Sequence, residues 1–177
     1  GGGEATAGPS LARSRTRALC DFSAGDLAEL LDAEADHWER ELQWDYSEVS
    51  QAVATGLERR SLGGRVLEDG VRPVAYCYYM RDADRAIVGS LFALPRCRGS
   101  GLEEQLLDEA LWEAQNDRVN RRVECQTLFS TTPLADARFA AAGFAGRPRQ
   151  YMLRGLAEVP EARSTGARLR HLRKADL

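Results

Sequence analysis

The run "RAIVGSLFALPRCRGSGLEEQLLDEALWEAQ", which begins at Arg85, restricts the possible folds more than any other stretch. From Ala86 to Leu94 it is almost continuously apolar, the pattern of a central strand covered on both faces. Pro95 ends that strand. From Leu102 onward, Leu106, Leu107, Ala110, Leu111 and Ala114 recur as one helical stripe. "RRVECQTLF", residues 121–129, then reads as a second strand. Strand, helix and strand in this order form a right-handed crossover, so the two strands must run parallel.

The remaining segments fit around this unit. "TRALCDF", residues 16–22, is a short strand. Ser23 is placed to cap a helix, with Asp26 three residues on in the capping-box position, and Leu27, Leu30 and Leu31 carry the helical spacing. Residues 46–62 predict a second helix, with Val49, Val53 and Leu57 on one side. "GRVLEDGVRPVAYCYYM" holds two strand-like runs around Asp69-Gly70, a hairpin signal. "RDAD", residues 81–84, is the next turn. Thr132-Pro133 opens a helix that Gly143 closes, and "RQYMLRGL" predicts a last strand. The order β-α-α-β-β-β-α-β-α-β predicts an α/β (α+β) fold: a mixed, mainly antiparallel sheet of about six or seven strands with helices on both faces.

A chain of 177 residues suits one domain, which buries roughly 70% of its unfolded surface. Residues 1–15 are expected to be a flexible tail, 16–156 the folded domain, and 157–177 a linker and tail. Laying Asp176-Leu177 on Asp26-Leu27 sets Leu169 and Leu172 on Leu19 and Phe22, so the end of the chain reads either as the start of a second, similar domain or as a basic tail helix. The net charge of -3 gives no reason to expect nucleic acid or membrane as a partner. No stretch approaches the roughly 18 apolar residues of a membrane helix, and residues 1–17 lack the apolar core of a secretory signal. Cys20, Cys77, Cys97 and Cys125 form no metal-binding spacing with His37 or His171, so reduced thiols in a cytoplasmic protein and no metal are expected. Arginine outnumbers lysine 23 to 1, a bias that a GC-rich, bacterial-type genome produces.

The loop "PRCRGSG" joins strand to helix. It reads either as a tight turn or as an anion site. A helix starting at Gly101 or Leu102 presents amides with no acceptor inside the helix, at the positive end of its dipole. Glycines let the backbone approach a diphosphate closely. Arg96 and Arg98 add charge that suits phosphate.

"P-R-C-R-G-S-G-L-E-E-Q-L-L" resembles the coenzyme-binding motif of the GNAT (GCN5-related N-acetyltransferase) superfamily, and "T-P-L-A-D-A-R-F-A-A-A-G-F", residues 132–144, resembles a downstream stretch of that family. The resemblance covers about residues 16 to 156. It implies acetyl-CoA or another acyl-CoA as cofactor, held by Arg96, Arg98, Gly99, Ser100, Gly101, Leu102 and Glu103. The pantetheine arm would pair with Phe92, Ala93 and Leu94, in a gap where the two parallel strands splay apart. Two registers fit the loop: Arg96-x-x-Gly99-x-Gly101, and the preferred Arg98-x-x-Gly101-x-Glu103. The second puts a carboxylate where the family has Gly or Ala. The family's thiolate-protonating Tyr falls at Phe139, and its Asn at Thr132.

The implied reaction is direct attack by a primary amine on the thioester, with a small molecule or a peptide as acceptor and a monomer or homodimer as the assembly. Glu124, then Glu68, are the candidates for general base, with Ser130 or Tyr78 as a relay. Each carboxylate also reads simply as a solvated or ion-paired strand residue. Trp38, Trp44 and Tyr46 sit among nine acidic residues between Asp26 and Glu48, a composition that suits a cationic amine or merely a solvated helix face. His37 beside Trp38 is a further candidate base. The alternative to an enzyme is a catalytically degenerate domain of the same fold acting as a binding or structural module. A third reading is a different α/β fold whose loop holds a simple phosphate.

Overall fold

The structure, a computed structural model, describes residues 14–126 and 133–147. Those up to Ala145 belong to one compact unit; residues 146–177 group as a second, of which only 146 and 147 are described. The strands are β1 (Ser14–Ala18), β2 (Leu62–Asp69), β3 (Arg72–Asp82), β4 (Arg85–Ala93) and β5 (Arg122–Cys125). The helices are α1 (Ala28–Leu42), α2 (Ser47–Glu58), α3 (Leu102–Asn116) and α4 (Pro133–Ala141). The sheet runs β1-β2-β3-β4-β5, antiparallel until β4 and β5, which pair in parallel across α3 as the crossover requires.

Five strands fall within the described residues, against the six or seven expected. The expected strand at 149–156, residues 1–13, the C-terminal tail and the 156/157 boundary lie outside them, while Ser14 and Arg15, expected in the tail, pair with Asp69 and Glu68 as the start of β1. The first strand stops at Ala18 and tightens into a 3₁₀ turn over Leu19–Asp21, short of Phe22. The second helix ends at Glu58, and Leu62 is already in β2. The reversal is made by Arg60, at φ 50°. It also needs Gly56, where a Cβ would lie only 2.8 Å from Leu62 Cγ. Ser23 and Asp26 do exchange capping-box bonds, Asp26 N–H to Ser23 Oγ at 3.2 Å and Ser23 N–H to Asp26 Oδ2 at 2.8 Å, although regular helix starts only at Ala28.

Each face of the sheet carries its own core. α3 packs Leu106, Leu107, Ala110, Leu111 and Ala114 onto Cys77, Tyr79, Ala86 and Val88. On the other face α1 and α2 pack Leu30, Leu31, Val53 and Leu57 onto Val66, Tyr76, Tyr78 and Phe92.

Alternation along β4 breaks once. Tyr79 pairs with Val88 and Tyr78 with Ser90, so Gly89 is an extra residue, a β-bulge. Before it, Ala86 and Val88 face α3; after it, Ser90 and Phe92 face α1. The bulge therefore re-aims the second half of the strand. A side chain at Gly89 would collide with the Tyr78 ring, with its Cβ 2.2 Å from Cε2.

Gly64 meets the strictest backbone demand. Its φ is 130°, and a Cβ there would lie 2.1 Å from the Cys77 carbonyl oxygen, which cannot move without breaking the β2–β3 ladder. Gly64→Ala is expected to destabilise the fold by about 3 kcal/mol or more, read as a lower urea midpoint with an unchanged slope.

Candidate functional site

Three features meet at the carboxyl end of β4. The first is a stretch of strand edge that no described residue of β5 pairs. Pairing with β5 runs from Arg85↔Arg122 to Val88↔Cys125. Residues 89–93 of β4 continue beyond it, bonded to β3 on their other side and to no β5 residue among those described.

The second is the loop into α3. Pro95–Cys97 form a 3₁₀ turn, and Gly99 and Gly101 take φ of 71° and 82°, which favour glycine. No described residue lies within 4 Å of the position a Cβ would take at either glycine. Helix α3 begins at Leu102 with Gly101 as its cap. Ser100 Oγ donates to the Cys97 carbonyl at 2.7 Å and steadies the turn. Arg98 folds back, its Nε donating to the Ala93 carbonyl at 3.0 Å and its guanidinium 5.4 Å from the centre of the Phe92 ring. Arg96 is exposed, within electrostatic reach of Glu29 on α1. Glu103 does not simply point away: its Oε2 accepts the Gly99 N–H at 2.9 Å. A carboxylate of the protein thus holds one of the amides that an anion would use.

The third feature is a cavity of about 160 Å³ between α1, the α1–α2 connection and the bulged part of β4. Trp38, Trp44, Tyr46, Val49, Tyr78, Gly89, Ser90 and Gln126 line it. Trp38, Trp44 and Tyr46, expected to suit a cationic amine, and Tyr78, nominated as a relay and as a substrate contact, are therefore brought together. Trp44 meets Tyr46 edge-on at 5.0 Å, and Trp38 lies 6.4 Å from Tyr46.

Beneath the cavity is a residue that composition had left among the acids of a solvated face. Glu34 is 0% exposed. Its Oε1 accepts from Trp38 Nε1 at 3.1 Å, Tyr46 OH at 3.2 Å and Ser90 Oγ, while its Oε2 accepts from Tyr76 OH. The signal was available: Leu27, Leu30, Leu31 and Trp38 make one buried stripe of α1, and Glu34 interrupts it at the i+4 spacing. Ser90 and Gly89 had no such signal, because a bulge inside an apolar run leaves the hydropathy pattern unchanged.

Burial, with Glu34 next, holds the phenols of Tyr46, Tyr76 and Tyr78 far above the usual range. Tyr79, on the α3 side, is pushed up to about 12, chiefly by burial and then by Glu113, to whose Oε1 it donates at 3.1 Å. Burial, and then Arg98, lower the pKa of His37, whose ring lies 6.0 Å from that of Phe92. Cys125 is pushed up to about 12 by burial.

The structure separates the two nominated carboxylates. Glu68 is 3% exposed and held by Arg15 at 2.8 Å and Arg17 at 3.5 Å, away from the cavity lining. Glu124 is 38% exposed and sits two residues before Gln126; Arg85 and Arg122 bind its Oε1. Phe139 is buried in the core on the α3 side, its ring 5.2 Å from that of Phe144. Ser130 and Thr132 lie outside the described residues. Among the described residues no His, Cys, Asp and Glu cluster could hold a metal ion, and no helix is long and apolar enough to cross a membrane.

A sheet with a parallel β4–β5 pair, a bulged β4 and a glycine-rich entry into α3 defines the fold of the GCN5-related N-acetyltransferases, GNAT. Solved structures agree. The chain is similar to a predicted acetyltransferase of Clostridium acetobutylicum, solved with acetyl-CoA, at 15% identity and a TM-score of 0.57 over 80% of this chain and 96% of that one. It is similar to AAC(6')-Iy, solved with the bisubstrate analogue CoA-S-monomethyl-acetylneamine, at 14% identity and a TM-score of 0.54 over 81% and 98%. A GCN5-related N-acetyltransferase of Ralstonia eutropha JMP134 matches at 17% identity and a TM-score of 0.56 over 81% and 99%. No family model and no curated protein matches the sequence. The fold expected from the loop and its crossover is thus the one the chain adopts.

Two measurements check the site. Tyr76→Phe removes a donor from a buried carboxylate and is expected to cost about 1–2 kcal/mol, whereas Tyr78→Phe, whose hydroxyl bonds to none of the described residues, should change stability by about 0.5 kcal/mol or less. Alkaline titration gives the second. Unfolded phenols release their proton near pH 10, while burial holds Tyr79 to about 12 and raises the other three well above their ordinary value. Their contribution is therefore complete below about pH 10 and is lost as pH rises above it. Absorbance at about 295 nm should show these four phenols ionising together with unfolding, rather than near their ordinary value.

Proposed function

We propose that this chain is a GNAT-superfamily acyl-CoA-dependent N-acyltransferase that moves an acetyl group from acetyl-CoA, or a related acyl group, to a primary amine. The observation that carries the reading is the convergence of three features at one end of β4: residues 89–93, which no described residue of β5 pairs, a loop with unhindered glycines opening α3, and an aromatic cavity beside the bulge. The coenzyme fits this loop in shape. Gly99 and Gly101 leave room for a diphosphate, the first turn of α3 offers amides beyond Leu102, whose N–H donates to Ser100 Oγ at 3.5 Å, and Arg96 and Arg98 supply charge. The one misfit is Glu103, whose carboxylate must leave the Gly99 N–H.

Acetyl-CoA, when bound, supplies an activated acyl carbon. The chain's residues do the rest. The backbone edge of Phe92, Ala93 and Leu94 offers strand-like pairing, and the cavity holds the amine against Trp38, Trp44, Tyr46 and Tyr78. Of the two nominated carboxylates, Glu124 is the one close to the lining in sequence, two residues before Gln126; releasing it requires breaking its pairs with Arg85 and Arg122. With Phe139 in the core, no phenol stands in for the family's acid at that position, and a thiolate is a stable enough leaving group to depart without one. A complexed aminoglycoside derivative in the similar AAC(6')-Iy supports a small-molecule amine as acceptor.

The Glu103–Gly99 bond also favours a second reading, a degenerate GNAT-fold module that no longer binds coenzyme. One calorimetric titration separates the two. The transferase reading expects saturable acetyl-CoA binding to the native chain, strengthened on the order of tenfold in Glu103→Ala, because one charge-assisted competitor is removed. It also expects thiol release when an amine panel is added. An absence of heat at millimolar acetyl-CoA in both proteins rejects it.

A further inference from the structure

We infer that Glu34 is a positioning residue that turns the 160 Å³ cavity into a site for a small alkylammonium head, and excludes carboxylates and favours no neutral alcohol. This deepens the acyltransferase reading and rests on it for the fate of the bound amine, though binding itself can be measured without coenzyme.

The argument is one of hydrogen-bond direction. A hydroxyl has a single proton to give. Tyr46 and Ser90 both line the cavity, and both direct that proton to Glu34 Oε1. They can therefore offer the cavity only lone pairs. Trp38 likewise turns its Nε1–H toward Glu34 and leaves its ring to the cavity. Two acceptor oxygens between aromatic rings suit an N–H-rich cation, which is held by hydrogen bonds and by the ring faces together. An anion meets lone pairs and a buried carboxylate behind them.

Charge points the same way. Glu34 is wholly buried, and among the described residues no arginine, lysine or histidine pairs with it; the ion pairs there involve other acids. A buried carboxylate with donors but no counter-cation is costly. A cation in the cavity would supply that counter-charge through the Tyr46 and Ser90 hydroxyls. Among the described residues no basic side chain lines the cavity, and a second opening is bordered by Glu39, Gln43 and Asp45. The acceptor class that follows is a primary alkylamine without a carboxylate on the carbon that bears the nitrogen, since such a carboxylate would have to enter the same cavity.

The Tyr78 hydroxyl completes the lining. Tyr78 is 3% exposed, and its hydroxyl bonds to none of the described residues.

The test uses tryptophan emission of the whole chain carrying Trp112→Phe, which removes the exposed tryptophan of α3. n-Butylammonium, 1-butanol and n-butyrate are titrated at one fixed ionic strength, with and without acetyl-CoA. The expected result is saturable quenching by n-butylammonium, at least tenfold tighter than by 1-butanol, and none by n-butyrate. Tyr46→Phe should reduce the preference for ammonium over alcohol at least fivefold while leaving 1-butanol binding unchanged, a split that a merely structural role would not give. Glu34→Gln should abolish the preference; where that variant melts below the assay temperature, Tyr46→Phe and Ser90→Ala decide. Equal binding of the ammonium and the alcohol, or equal loss of both in Tyr46→Phe, overturns the inference. An ammonium preference without acetyl-CoA binding would overturn the transferase reading alone, and acetyl-CoA binding without the preference this inference alone.

Discussion

A single carboxylate on α1 joins the parts of the molecule that the backbone leaves separate. Glu34 accepts from Trp38 one turn further along its own helix, from Tyr46 at the start of α2, from Tyr76 on β3 and from Ser90 on β4. Apolar packing would hold α1 against the sheet in several near-equivalent positions, since Leu30 and Leu31 are content with any apolar surface. Four directed bonds to one buried group admit only one position, because every shift orphans a donor in a place water does not reach. The cost of burying the carboxylate is the source of that specificity. It also explains why β4 must bulge: without the extra residue at Gly89, position 90 would face α3 and Glu34 would lose Ser90.

The bulge and the loop into α3 are linked by the strand between them. After Gly89, residues 90–93 turn Phe92 toward α1 and Ala93 toward α3, and Arg98 then reaches back to cap the strand at the Ala93 carbonyl and cover Phe92. His37 on α1 meets the same Phe92 ring. The loop that would meet phosphate and the helix that would meet the amine therefore share one aromatic ring. A displacement of Arg98 toward an anion would be felt at Phe92, and so at α1.

Legibility in the sequence followed the range of the interaction responsible. The crossover, the Asp69-Gly70 hairpin and the α3 stripe were readable, because each depends on residues close in sequence or on a regular period. The C-terminal end of α2 was not, since Arg60 in the left-handed region and the fit of Leu62 onto Gly56 are tertiary matters. Among site residues, Trp38, Trp44, Tyr46 and Tyr78 could be picked out as aromatics near one another in chain or strand, and the cavity gathers them. Glu34 could have been picked out from the apolar stripe it interrupts, but nine acids in one segment drew attention to their sum and away from the one at a core position. Glu103 shows the opposite case: its place in the motif was legible, yet its contact with the Gly99 N–H depends on a loop geometry that no spacing reveals.

The two carboxylates that flank β4 act in opposite senses on the same proposed chemistry. Glu34 sits behind hydroxyls and converts donors into acceptors, so its negative charge is presented to the cavity by oxygen atoms that can bond a cation. Glu103 sits in front of an amide and satisfies a donor that an anion would otherwise use. Glu34 cannot leave without unpairing a buried network. Glu103 is partly exposed and can exchange the Gly99 N–H for water at little cost. On the acyltransferase reading, this arrangement sets permanent selection at the amine end and a displaceable blockade at the coenzyme end. The cavity polarity would then be kept whether or not coenzyme is present, while affinity for coenzyme would depend on how readily one side chain at the start of α3 gives way.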